Sequence, residues 1–226
     1  MNSKCIKQRI RSTFDRAWQT YENHCHIQGE ICGIAINRLQ MFLNNCEAIA
    51  DIACGTGLST QMLDLTLEYE TCHASDFSPN LLQIARSKPF SKNVSWYLTD
   101  FDNLSIDHPA VDLIFCNMGL QWSPNFNHSI NQLKQCLKHH AYLVFTMPID
   151  GNFPELHNTH RNPYHSTGDI SEQLSACHLT VKHIEAVDYT KHYKSGLDAL
   201  KAIKLTGANC LLTVRNNRKK PSLGKN

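Results

Sequence analysis

Ala48-Ile-Ala-Asp-Ile-Ala-Cys-Gly-Thr-Gly57 is a short apolar run that stops at two glycines, and Leu58, Met62, Leu63 and Leu65 follow it at helical spacing. The order is strand, tight turn, helix. Glycines at 55 and 57 let the backbone approach a ligand where any Cβ would collide. In an open α/β sheet, small ligands sit outside the carboxyl ends of the strands where the strand order reverses, and the first turn lies there.

The pattern extends in both directions. Ile6, Ile10, Phe14, Ala17 and Tyr21 predict a helix over 3–23, and Ile31, Ile34, Ala35, Leu39 and Phe42 a second over 27–42. After the turn, Thr71 to Ala74 predicts a strand ending at Asp76, and Ser78-Pro79 opens another helix. Val94–Leu98, Val111–Cys116 and Ala141–Thr146 read as further strands, the last after a helix carrying Ile130, Leu133 and Leu137. The apolar runs of the last two place them near the centre of a covered sheet. Helices at 170–177 and 197–205, with a strand at 181–189 between them, complete the pass.

Strands alternating with helices imply an α/β, Rossmann-like, doubly wound and mostly parallel sheet. The division expected is N-terminal helices over 1–45 capping the site, a ligand-binding domain over 46–212 with a loop-rich insert at about 148–168, and a basic, disordered tail over 213–226.

With 226 residues, 22 basic against 20 acidic, the composition is that of one globular domain and gives no basic excess for nucleic acid. No apolar run is long enough to span a bilayer, and Met1 to Arg11 is polar, so a cytoplasmic protein is expected. Ten cysteines spread from Cys5 to Cys210, without the paired spacing of a zinc site, read as reduced and mostly buried thiols; no metal is expected.

Asp76, about 25 residues beyond Asp51, stands where an acidic residue accepts the hydroxyls of a ribose. A nicotinamide dinucleotide fits less well: after Ala53, Gly55 and Gly57 come Ser59 and Thr60, and the full G-x-G-x-x-G is absent. A plain tight turn is the alternative to a ligand site here.

Asp51-Ile-Ala-Cys-Gly-Thr-Gly57, Asp76-Phe-Ser-Pro79 and Thr99-Asp-Phe101 resemble the cofactor motifs of class I methyltransferases. The resemblance implies S-adenosyl-L-methionine as co-substrate, bordered by Asp51, Ala53, Cys54, Gly55, Gly57, Asp76, Phe77 and Asn117, with Asp100 meeting the adenine amine and Phe101 its ring. Ala53 departs from the family, which usually has a glycine there. A narrower resemblance, to the malonyl-[acyl-carrier protein] O-methyltransferases of biotin biosynthesis, rests on Phe14-Asp-Arg-Ala17, Tyr21-Glu-Asn-His24 with Gln28, Asn117-Met-Gly-Leu-Gln-Trp122, Phe153-Pro-Glu-Leu156 and Leu205-Thr-Gly-Ala-Asn209. Two departures accompany it: a shortened stretch at 158–167, with Pro163 where an arginine is expected, and an end near Asn226 without the apolar segment that usually supplies the family's last, antiparallel strand, so the sheet is expected to lack that strand and to leave an edge uncovered.

That resemblance implies methyl transfer to the free carboxyl of a malonyl thioester on acyl-carrier protein, or on CoA, by a monomer. A malonyl carboxylate is ionised at neutral pH, so positioning and water exclusion carry the reaction and no catalytic base is nominated. His157 and Arg161 are candidate partners for the carboxylate, Tyr21, Gln28 and Trp122 candidate walls, and Lys4, Lys7, Arg9 and Arg11 a candidate basic patch for an acidic carrier. Two alternatives stand beside it: a methyltransferase for another small carboxylate or hydroxyl, and a weak paralogue that only binds the cofactor or a partner.

Overall fold

The structure, a computed structural model, describes residues 3–104, 110–156 and 162–212. Its strands β1 (Ala48–Ile52), β2 (Thr71–Asp76), β3 (Val94–Leu98), β4 (Val111–Asn117) and β5 (Leu137–Thr146) form one parallel sheet in the order β3-β2-β1-β4-β5. The chain winds outward from β1 to β3 and then crosses back to β4, so the order reverses between β1 and β4.

The period of two along each strand divides the core between two faces. Ile49, Leu113 and Phe115 meet Cys32, Ile36 and Leu39 of α2 (His26–Leu39) and Leu63 of α3 (Leu58–Thr66). Their neighbours Ala50, Ile52, Ile114 and Cys116 meet Ile130 and Leu133 of α5 (Phe126–Gln135) and Ile170 and Leu174 of α6 (Thr167–Ala176). Between them, α4 (Pro79–Arg86) sets Leu82 on Ala74. It starts where Ser78 Oγ accepts the Leu81 N–H at 3.3 Å, with Pro79 in the first turn. The ten cysteines are free and eight are buried. Burial pushes the thiols of Cys32, Cys72 and Cys116 well up, which keeps them protonated.

Four expectations change. β5 lies at the edge of the sheet and is only partly buried. Its apolar character follows from covered faces, since Leu143 and Phe145 meet the α5–α6 cluster and Tyr142 and Val144 the α2–α3 cluster. Residues 181–189 form no strand. Side chains hold that segment instead: Arg38 on α2 forks Glu185 at 2.8 and 3.1 Å, and Tyr189 donates to Glu30 at 3.1 Å. The lead-in helix α1 spans Ser3–Ala17 rather than 3–23, because the Ala17 carbonyl accepts the Thr20 and Tyr21 N–H groups and the Thr20 hydroxyl, closing the turn. Leu137, read as helical, opens β5.

The last helix, α7 (Gly196–Leu205), returns the chain to α1. Thr20 Oγ1 donates to the Leu205 carbonyl at 2.8 Å, and Gly207, at φ 74°, lies so close to α1 that an added Cβ would sit 2.9 Å from Phe14 Cα and 3.0 Å from the Thr13 carbonyl oxygen. Among the described residues no helix is long and apolar enough to cross a membrane.

Gly207→Ala is expected to cost about 2–4 kcal/mol, from left-handed backbone strain plus overpacking against α1. Urea unfolding measures it, and an unchanged midpoint would show that this seam does not carry stability.

Candidate active site

A pocket runs across the carboxyl ends of four neighbouring strands. Thr99 and Phe101 follow β3, Asp76 and Phe77 end β2, Ile52, Ala53 and Gly55 end β1, and Asn117, Met118, Gly119 and Trp122 end β4. Helix α1 closes one side with Lys7 and Phe14, and Tyr21 follows from the turn beyond it. Lys7 and Phe14 are seven residues apart, two helical turns, so both face inward.

The floor is strained backbone. Ala53 (φ 57°), Gly55 (φ 57°) and Met118 (φ 53°) all take the left-handed region, which costs a non-glycine residue roughly 1–2 kcal/mol. Ala53 fits because of Gly119: a Cβ added at Gly119 would lie 2.8 Å from Ala53 Cβ and 2.7 Å from Cys116 Sγ. The bare glycine makes the room that the methyl at 53 takes up. At Met118 a network supplies the restraint. Its N–H donates to the Thr146 carbonyl and hydroxyl oxygens at 3.0 Å each, Thr146 Oγ1 donates to Asn117 Oδ1 at 2.7 Å, and Asn117 Nδ2 donates to the Gln28 carbonyl at 2.9 Å.

Asp76 is the only carboxylate among the described lining residues. Its Oδ2 accepts the Gly55 N–H at 2.9 Å and its Oδ1 the Ser78 N–H at 2.8 Å. Burial outweighs these donors and pushes the carboxyl up to about 6. Tyr21, by contrast, offers a hydroxyl that burial holds protonated far into the alkaline range, a donor rather than a base. Phe14 stands edge-on to Trp122, ring centroids 5.5 Å apart, and closes the aromatic side.

Of the residues expected from sequence, the pocket brings together Ala53, Gly55, Asp76, Phe77, Phe101, Asn117, Tyr21 and Trp122. Others stand behind it. Asp51 ties β1 to α3, its Oδ2 accepting the Ser59 and Thr60 hydroxyls at 2.7 and 2.6 Å, while its buried Oδ1 has no partner. Cys54 is buried, with its thiol pushed well up by desolvation. Gly57 lets two helices meet: a Cβ there would lie 3.1 Å from Ala85 Cβ on α4. Gln28 contributes through its backbone carbonyl. His157 and Arg161 lie outside the described residues.

Lys7 is the lining residue that sequence reading assigned elsewhere, to a surface basic patch. Its ammonium meets Asp100 Oδ1 at 2.9 Å and Asp102 Oδ2 at 2.6 Å, and lies 4.0 Å from the centroid of the Phe101 ring. Its side chain is only 12 % exposed. The seven-residue spacing Lys7–Phe14–Tyr21 was the available signal. Phe14, Leu81 and Thr99 also line the pocket without having been singled out as ligand-binding.

This arrangement suits an extended ligand with a hydroxyl-bearing part at β2 and a flat apolar part beside Phe101. Three strand intervals of about 4.8 Å separate β3 from β4, a span of roughly 14 Å. Among the described residues no cluster of three or more metal-ligating side chains occurs.

Comparison with known proteins places the family and the fold. Residues 50–145 match the family described as a methyltransferase domain. The chain is 37 % identical to malonyl-[acyl-carrier protein] O-methyltransferase 2 of Coxiella burnetii over 94 % of its own length and 86 % of that protein. It is 30 % identical to the malonyl-[acyl-carrier protein] O-methyltransferase of Buchnera aphidicola, over 90 % of this chain and 82 % of that one. Among solved structures, a DhpI–SAH complex shares the fold with a TM-score of 0.62 at 17 % identity, covering 78 % of this chain and 89 % of that one.

Burial pushes Asp51 up to about 7 against the lowering effect of its two hydroxyl donors. Asp51 therefore holds its proton more tightly folded than unfolded. The stability this adds is complete below its ordinary value of 3.8 and is lost as pH rises through about 7. From about pH 6 to pH 8 the wild-type chain is expected to lose about 1 kcal/mol more than Asp51→Asn, by urea unfolding at both pH values. Equal losses would mean that Asp51 is solvated in the folded chain.

Proposed function

This chain belongs to the malonyl-[acyl-carrier protein] O-methyltransferase family, and we propose that it transfers a methyl group from S-adenosyl-L-methionine to the free carboxyl of a malonyl thioester carried by acyl-carrier protein, an early step toward the pimeloyl part of biotin. The observation that carries this reading is the pocket itself: one ribose-competent carboxylate at Asp76, ring faces at Phe77 and Phe101, and an aromatic wall of Phe14 and Trp122, along one line of strand ends.

The residues present fit the cofactor. Asp76 Oδ1 and Oδ2 each use one lone pair on a backbone N–H and keep further acceptor capacity for the two hydroxyls of a ribose. Gly55 and the left-handed Ala53 present backbone to the methionine part, and Gly119 removes the crowding that the methyl at 53 would otherwise create. Asp100 and Phe101 flank the adenine end, where Lys7 pairs with Asp100 and Asp102 and lies over the Phe101 ring. When bound, the cofactor supplies an electrophilic methyl on its sulfonium.

The chain's remaining work is to position and dry the acceptor. A malonyl carboxylate is already ionised at neutral pH and needs alignment at about 3 Å, not deprotonation. Tyr21 contributes a neutral hydroxyl donor, while Phe14 and Trp122 exclude the water that would solvate the nucleophile. With Asp76 committed to the ribose, no lining group among the described residues is left to act as a base. The chemistry requires none.

Incubation with S-adenosyl-L-methionine and malonyl-[acyl-carrier protein] is expected to add one methyl to the malonyl group, seen by mass spectrometry and removed by base as an ester. Tight cofactor binding without that methyl would overturn the substrate assignment and leave the cofactor reading standing. The cofactor's dissociation constant is expected to be flat at alkaline pH and to weaken as pH falls below about 6, because ribose hydroxyls favour ionised Asp76 and a proton there competes. Asp76→Asn is expected to bind roughly 10- to 100-fold more weakly and to lose that pH dependence. Calorimetry on both proteins measures this, and a variant that keeps the pH dependence would remove Asp76 from the contact.

A further inference from the structure

Helix α7 has no buried residue. It is held at its start by Ser195, whose Oγ accepts the Asp198 N–H at 3.2 Å and donates to Asp198 Oδ2 at 2.8 Å, and at its end by the Thr20 hydrogen bond to Leu205. Positions 197, 200, 201 and 204 recur at the i, i+3, i+4, i+7 spacing and share one face. That face carries Leu197, 79 % exposed, Leu200, 48 % exposed, and the exposed Lys201 and Lys204, while Ala202 and Ile203 are half-buried. Lys191 and Lys194 extend the positive charge along the preceding loop, and Asp198 is the single acid between residues 190 and 205. Exposed leucines ringed by cations have the make-up of an interface, an apolar centre with a charged rim.

The position of this face matters as much as its composition. α7 ends in the seam that packs Gly207 against Phe14 and Leu205 against Thr20, next to Tyr21. Phe14 and Tyr21 line the pocket. The N-terminal cations first considered for this task are engaged: Lys7 turns into the pocket, and Arg11 pairs with Asp15 at 3.6 Å.

We propose that the Leu197–Leu200–Lys201–Lys204 face of α7, with Lys191 and Lys194, is the docking surface for the acyl-carrier protein; this rests on the malonyl-carrier reading above. A carrier protein is small and acidic and delivers its acyl group on a flexible thioester arm. The lysines supply the complementary charge and the two leucines the apolar contact, on a helix whose end packs beside the pocket-lining Phe14 and Tyr21. Rim charges of this kind act on association and its salt dependence more than on chemistry.

The test compares two acceptors that present the same malonyl thioester, malonyl-[acyl-carrier protein] and malonyl-pantetheine, which lacks the protein. With the double variant Lys201→Glu/Lys204→Glu, KM for the carrier-borne substrate is expected to rise about tenfold or more. KM for malonyl-pantetheine and kcat for both are expected to stay unchanged. Added salt is expected to raise the wild-type KM for the carrier and leave the variant's flat, and Lys201→Arg/Lys204→Arg to restore wild-type behaviour. An unchanged KM for the carrier, or an equal loss on both acceptors, would overturn the docking surface while leaving the methyltransferase reading intact. A wild-type protein that methylates neither acceptor would overturn that reading, and the docking surface with it.

Discussion

One carboxylate organises the pocket. Asp76 ends β2, accepts the N–H of Gly55 from the turn after β1, and accepts the N–H of Ser78 at the start of α4. Ser78 in turn caps α4 and donates to Asp15 of α1 at 2.6 Å. Two turns, a helix start and the N-terminal helix are thus fixed relative to one buried group. Holding that group in a dry place is unfavourable, as its raised pKa records. The two backbone donors reduce the penalty and aim the oxygens, so the same bonds that stabilise the fold also orient the one carboxylate among the described pocket-lining residues.

Around this centre, close approach is obtained by leaving atoms out. Gly57 admits α4 through Ala85, Gly119 admits the Ala53 methyl and the Cys116 thiol, and Gly207 admits the α1 backbone at Phe14. The alanine at 53, where the motif resemblance leads one to expect glycine, is therefore tolerated locally. Its left-handed backbone carries strain, and the space it needs exists on the neighbouring strand end. Thr146 at the end of β5, Asn117 at the end of β4 and Gln28 on α2 hold the adjoining Met118 turn, which shows how an edge strand still contributes order to the site.

Much of this was legible in the residues. The run Ala48–Gly57 and the acid at 76 identified the first two strands, their turns and the strand ends that line the pocket, because glycine spacing and apolar runs report local backbone geometry directly. What remained hidden depends on neighbours. The apolar run of β5 reports covered faces and says nothing about a partner along its edge, so it reads like a central strand. Residues 181–189 have strand-like composition but no ladder, and are held through Arg38 and Tyr189. Lys7 reads as a surface charge until the acids at 100 and 102 are brought opposite it. Asp51 and Gly57 also serve packing, tying α3 to β1 and to α4, which motif membership alone does not reveal.

The N-terminal helix joins the two ends of the pocket. Lys7 and Phe14 are separated by seven residues, about 10.5 Å along a helix. One helix thus places a cation over Phe101 beyond β3 and an aromatic ring against Trp122 beyond β4. Asp15 and Thr20 fasten the same segment to α4 and to the end of α7. The same segment thus walls both the β3 side and the β4 side of the pocket, and methyl transfer to an ionised carboxylate, which needs no general base, depends on such alignment and exclusion of water.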